Sequence, residues 1–360
     1  MKKRFSLSLP GMASGWLYFY IHFVTEVICF YCLSREVGDS AFLWVFPLIY
    51  DALAFVPQSL IGYLSDKFRK INFGIIGVLM MAFAGLDFGF DILPGKYTAL
   101  VTLCLGNAAV HISGAETTLR ISSGKLSHSA IFVSGGSFGV ISGRLLAKTF
   151  VPHWAVSVLV LTAIPFIILA DMYRNEYAKH NRDSACTKFN YASDKLPAML
   201  VLLLAVTVVA VRGYMGYGIP TSWNKTVVQN IMLYCAMGIG KASGGILADI
   251  FGVKRVAMLS ASLALPFLLF GDKVMGVSLI GVMLFSMTMS ITLALIVSVL
   301  PHKPGLAFGF TTIGLFLGTA PIFFFRFTSV FSNCVVIAVL TVLCLAAMQI
   351  IIRKDEKKDA

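Results

Sequence analysis

The chain has 360 residues, 58% of them hydrophobic and 13% charged, with a mean hydropathy of +0.85. No soluble domain hides that much apolar surface, so lipid is the solvent for most of the chain and an all-α membrane protein is expected. The net charge of +12 is no sign of a nucleic-acid partner, because the sequence holds no soluble basic domain to bind one.

In chain order, the amino end MKKRFSLSLPGMASGW sets basic residues before an apolar run, as a signal peptide does. No small-x-small cleavage site follows cleanly, and the run carries His22 and Glu26, so it reads as the first span. A crossing helix needs about 20 apolar residues. On that measure the first six spans are 12–33, 41–63, 73–92, 97–119, 128–150 and 152–172. The next six are 196–217, 226–247, 256–271, 274–299, 305–325 and 329–352. Residues 173–195 are polar and lack an apolar stripe; they read as a cytoplasmic linker. It joins a first six-helix bundle, 1–172, to a second with a short basic tail, 196–360.

With twelve crossings and the amino end inside, twenty of the 29 Lys and Arg residues fall on inner segments and five on outer ones. The positive-inside rule asks for that bias, so both termini are expected in the cytoplasm. The seven cysteines are scattered, odd in number and mostly set in apolar stretches, which fits neither a disulfide framework nor a zinc site. No metal site and no cofactor is expected.

Two short charged strings interrupt the apolar pattern: GYLSDKFRK at 62–70 and GGILADIFGVKR at 244–255. Their aspartates, Asp66 and Asp249, lie 183 positions apart, at equivalent points of the two halves, after spans 2 and 8. The strings resemble the signature of the major facilitator superfamily, roughly G-x-L-a-D-r-x-G-r-[KR]. Gly62, Leu64, Asp66, Lys67 and Lys70 match in the first copy, and Gly245, Leu247, Ala248, Asp249, Gly252 and Lys254 in the second. Arg69 replaces the second glycine of the first copy, and Ile250 and Val253 replace basic residues of the second. The resemblance implies two pseudo-symmetric six-helix bundles that rock about a central site, with Gly62, Asp66, Lys70, Gly245, Asp249, Gly252 and Lys254 forming the cytoplasmic gate. The alternative is that these residues only set topology and turn geometry. On span 5, Gly135, Gly139 and Gly143 recur every four residues and give a smooth face for close helix packing.

Ionisable groups inside spans are costly and commonly face a cavity or a partner. His22, Asp51 and Asn107 fall near the midplane, while Glu26, Arg144 and Arg212 lie roughly 5–8 Å toward the outside and His111 about 5 Å toward the inside, at 1.5 Å per residue. Tyr18, His22 and Glu26 share one helix face, as do Asn107 and His111. The resemblance implies that spans 1, 4, 7 and 10 line the cavity, which would place Tyr18, His22, Glu26, Asn107, His111 and Arg212 there. Arg144 and Arg212 suit a carboxylate or phosphate; Glu26, Asp51, His22 and His111 suit a coupling proton. The structural alternative is a Glu26–Arg212 or Glu26–Arg144 pair tying helices together. Lys148 is expected to snorkel at a span end, and Glu116 with Arg120 to form a local ion pair.

Together these readings point to a secondary active transporter of a small organic solute, an organic anion among the candidates, with a proton as coupling partner. Multidrug efflux is the competing transport reading, and a non-transporting sensor or scaffold on a transporter fold the competing class. No H-E-x-x-H and no phosphate-binding loop is present, so neither an enzyme nor an ATP-driven pump is expected. The short loops suggest a prokaryotic inner membrane, and a monomer is expected.

Overall fold

The computed structural model describes residues 2–36, 45–92, 96–181, 186–325 and 329–353. Residues 182–185 of the expected linker lie outside them, as do Arg326, Lys354, Lys357 and Lys358 among the basic residues counted above. The first half contains α1 (Lys2–Glu36), α2 (Val45–Phe55), α3 (Pro57–Lys67), α4 (Phe73–Phe90), α5 (Lys96–Ile121), α6 (Ser127–Leu146), α7 (His153–Leu161) and α8 (Ala163–His180). The second contains α9 (Ala198–Gly218), α10 (Val227–Phe251), α11 (Val253–Phe270), α12 (Met275–Val299), α13 (Pro304–Thr319) and α14 (Val330–Ile351). They make twelve helical segments long and apolar enough to cross a membrane, because α2 with α3, and α7 with α8, each continue as one span. The sixth span extends beyond its expected end, since α8 runs on to His180.

Both broken spans owe their breaks to proline, which lacks the N–H that the helix ladder needs. Pro57 starts α3, where that N–H is dispensable, and the chain turns at Val56. The Phe55 carbonyl at this break accepts from the Thr312 hydroxyl of α13 at 3.0 Å, so the second half satisfies a polar group that the first half leaves open. Near Pro165, Thr162 closes the equivalent joint through its hydroxyl, bonded to the Leu159 carbonyl and to Tyr20.

Within the first half α1 packs along α6 and α4 along α5; across the halves α10 lies against α6, and α13 against α3. In lipid the hydrophobic effect does not drive such contacts, so close backbone approach must. The glycine stripe on α6 supplies it: Gly135, Gly139 and Gly143 sit against the carbonyls of Phe19, Phe23 and Val27 on α1, where a Cβ would collide. Residues 186–193 then cross the end of the molecule. Thr187 donates to the Pro301 carbonyl at 2.8 Å, the Tyr191 hydroxyl donates to the Gly124 carbonyl at 2.7 Å, and Ser193 donates to the Ile351 carbonyl at 2.8 Å. This strap ties the α5–α6 turn to the ends of α12 and α14.

Candidate functional site

Several of the described helices begin without a side-chain cap of their own, and two of them, α6 and α13, start beside the other half. Leu126 precedes α6 and Lys303 precedes α13, and neither can accept from the orphan N–H groups of a first helical turn. The signature aspartates from the opposite halves do so instead. Asp66 accepts from Gly305 N–H at 3.2 Å and Leu306 N–H at 2.9 Å; Asp249 accepts from Leu126 N–H at 2.8 Å and Ser127 N–H at 2.9 Å. A carboxylate at a helix N-terminus also meets the positive end of the macrodipole. The two sets of contacts are pseudo-symmetric, and both join the halves at the same end of the molecule.

Their surroundings differ. Asp66 also takes Arg120 Nη2 at 2.8 Å, while Arg120 Nε donates to Glu116 at 2.9 Å and the Ser65 hydroxyl donates to Glu116 as well. The local Glu116–Arg120 pair is thus a bracket behind the first latch. Gly62 and Gly305 meet backbone to backbone, so α3 and α13 approach within the space a side chain would need. Gly245 meets Ala130 and the Leu126 carbonyl. Gly252 ends α10 at φ +95, a left-handed value that glycine adopts freely, and Lys254 Nζ donates to the Gln349 carbonyl near the end of α14 at 2.8 Å. Lys70 is exposed and stands apart from the latch.

Nearer the middle of the helices, the first half presents a buried polar group. His22, Glu26, Asn107 and His111 are each no more than 8% exposed. Asn107 Nδ2 donates to Tyr50 at 2.9 Å and to Glu26 Oε1 at 3.3 Å. His111 Nε2 lies 3.4 Å from Glu26 Oε1 and 2.8 Å from His22 Nε2. Asp51 is partly buried on α2, with Thr319 of α13 near it. Tyr18 differs from the expectation of a cavity residue: it is fully buried inside its own half, bonded to Ser113 at 2.9 Å.

Glu26 pairs with neither arginine. Arg212 on α9 reaches α12, donating to the Phe285 carbonyl at 3.1 Å with its guanidinium 5.0 Å from the Phe285 ring centre, and its buried Nε has no partner. Arg144 on α6 lies between the Phe30 and Tyr234 rings, 5.1 and 5.5 Å from their centres, so an aromatic face from each half holds it. Arg144 and Lys148 line a cavity of about 300 Å³ with Ser34, Val227 and Asn230, between the halves at the end opposite the latches. Lys241 is a further cation that the sequence reading above did not place at the site. It stands on α10 within electrostatic range of Glu26 and Arg212. Its signal was present in the sequence: a lysine well inside a span.

No family model matches the sequence, and no curated protein matches it. Solved structures do. A crystal structure of the major facilitator superfamily transporter FucP in the outward conformation is similar over 96% of this chain and 99% of its own, at 11% identity and a TM-score of 0.60. A variant of the E. coli fucose:proton symporter FucP aligns over 96% and 98% at 12% identity and 0.61. The human organic anion transporter MFSD10 (TETRAN) aligns over 96% and 99% at 10% identity and 0.54. The chain is an integral membrane protein of twelve spanning helices in two pseudo-symmetric bundles, with the fold of the major facilitator superfamily transporters.

Proposed function

We propose that this protein is a secondary active transporter that moves a small organic anion across the membrane by alternating access. The observation that carries the reading is the pair of aspartate latches closing one end between the halves, with a cavity between the same halves at the other end. Contacts of that kind hold one conformation and must break in the other, which is the requirement for a rocking carrier. By the distribution of basic loops the closed end is cytoplasmic, so the conformation faces outward.

Cations on the second half support an anionic cargo. Arg212 and Lys241 lie within electrostatic range of each other on α9 and α10, and Arg212 keeps an unpartnered buried N–H. An anion would satisfy both, while Arg144 and Lys148 at the cavity would raise its local concentration on entry. The similar structures include a proton symporter of fucose and an organic anion transporter, so the fold accommodates both proton coupling and anionic cargo. For the coupling proton we assign Asp51, a carboxylate on the first half whose neighbour Thr319 belongs to the second. Separation of the halves exchanges that neighbour for water and so changes the proton affinity of Asp51.

The test is uptake of labelled mono- and dicarboxylates by proteoliposomes holding the purified protein. Saturable uptake should appear and be lost in Arg212→Ala and Lys241→Ala. Asp51→Asn should abolish accumulation driven by a pH gradient yet preserve exchange of internal for external solute. Transport confined to lipophilic cations would overturn the anion reading, and no flux of any solute would return the chain to the sensor class.

A further inference from the structure

Two histidines with fixed tautomers point their free nitrogens at one place. His22 Nδ1 lies 2.9 Å from the Phe132 carbonyl, and His111 Nδ1 lies 3.0 Å from the Asn107 carbonyl. A carbonyl only accepts, so each ring carries a proton on Nδ1, and each ring when neutral leaves a lone pair on Nε2. The two Nε2 atoms face each other at 2.8 Å, with Glu26 Oε1 at 3.4 Å from one and 3.8 Å from the other. With both rings neutral, three electron-pair donors converge inside a buried part of the first half. Such a convergence is stable only around a positive centre.

We propose that His22, Glu26 and His111 bind a divalent first-row transition-metal ion of the zinc class. Zinc holds imidazole nitrogen and carboxylate oxygen at about 2.0–2.2 Å, so the donors of a tetrahedral site stand about 3.3 Å apart. The observed separations of 2.8, 3.4 and 3.8 Å bracket that spacing, and small side-chain rotations equalise them. The outer contacts also have the required form. Metal-bound histidine generally hands its other ring N–H to a carbonyl or carboxylate, as both rings do here, and Asn107 Nδ2 orients the Glu26 oxygen at 3.3 Å.

Two nitrogens among three donors select against calcium and magnesium, which take oxygen ligands. Cys29 contacts Asn107 but lies outside the donor triangle. Lys241 on α10 is the nearby cation; its charge opposes the metal, and Glu26 offsets it. The ligands come from two helices and lie 4 and 85 positions apart along the chain, which is why no sequence motif announces them. The site is independent of the transport reading and survives its failure.

The experiment uses the full chain, purified, stripped with chelator and reloaded with Zn²⁺ or Co²⁺. One equivalent per chain should survive desalting. Co²⁺ should give the visible bands of a four-coordinate ion, and the zinc X-ray absorption spectrum should show a first shell of nitrogen and oxygen near 2.0 Å with imidazole scattering behind it. Glu26→Gln should weaken Co²⁺ binding at least 10-fold and His111→Ala at least 100-fold, with thermal unfolding of the metal-free variants as the check on folding. Failure of the wild-type protein to retain an equivalent would overturn the proposal, leaving a proton shared between the Nε2 atoms as the positive centre. A sulfur shell near 2.3 Å would overturn it too, and so would equal binding by folded variants.

Discussion

Replacing Asp249 by asparagine tests the latch directly. The carboxylate accepts two N–H bonds, at 2.8 and 2.9 Å, from a helix that has no cap of its own. A hydrogen bond to a charged group contributes about 1.5–3 kcal/mol, and a carboxylate at a helix N-terminus a further 0.3–1 kcal/mol or so. Asparagine keeps one acceptor oxygen and loses the charge, so the closed state loses about 2 kcal/mol. In the proposed open state neither contact is made, so nothing is lost there. At 1.4 kcal/mol per factor of ten, the open-to-closed ratio rises about 30-fold.

Ser127 reports that ratio. It lies at the latch, 4% exposed, and cysteine there exchanges only oxygen for sulfur. In a protein whose native cysteines are replaced, Ser127→Cys should react with a water-soluble maleimide about 30 times faster once Asp249 is asparagine. The rate follows the open population when opening and closing are fast relative to alkylation. A second variant retaining only Cys104, which is fully buried within the first half, detects unfolding instead. A change below 3-fold at position 127 in a folded protein would refute the latch energetics. Equal acceleration at Cys104 would show that the substitution unfolds the chain rather than opening it.

Glycine substitutions should divide by position. Gly62→Ala drives a methyl group into the Gly305 backbone, which cannot move aside as a side chain could, so it should lower the melting temperature and open the latch at a cost of about 1–3 kcal/mol. Gly216→Ala meets nothing within 4 Å on α9 and should be neutral or stabilising by up to about 1 kcal/mol, measured in the same melts. Tyr191→Phe removes the strap's 2.7 Å bond to the Gly124 carbonyl; it should cost about 1 kcal/mol and speed proteolysis within 186–193, with no change in proteolysis disproving the strap.

The spans were legible because lipid imposes one length and one composition on whatever crosses it, and the twelve helices follow the apolar runs closely. The latch was legible only by halves. Asp66 and Asp249 stand out as charges repeated at equivalent points, but their partners are backbone N–H groups, which have no letter in a sequence. The one trace in the sequence is an absence that other helices share: α6 and α13 begin after Leu126 and Lys303, where a self-capped helix would carry Ser, Thr, Asp or Asn. An uncapped start beside a repeated aspartate is a pattern with a mechanism.

The polar centre failed differently. Matching opposite charges suggested Glu26 with Arg144 or Arg212, yet charge matching ignores which face of each helix looks inward. Glu26 turns toward α5, where Asn107 and His111 present their side chains, while Arg144 turns toward Tyr234 of the other half. Helical spacing had grouped His22 with Glu26 and Asn107 with His111 correctly, since four residues make about one turn. What it could not supply was the packing of α1 beside α5 at a common height, which depends on glycine contacts elsewhere. The stripe that sets α1 against α6 is therefore part of the site. Gly139 gives room to the Glu26 Cβ and Gly136 to the His22 ring, so enlarging either glycine should displace the polar centre without touching a single charge.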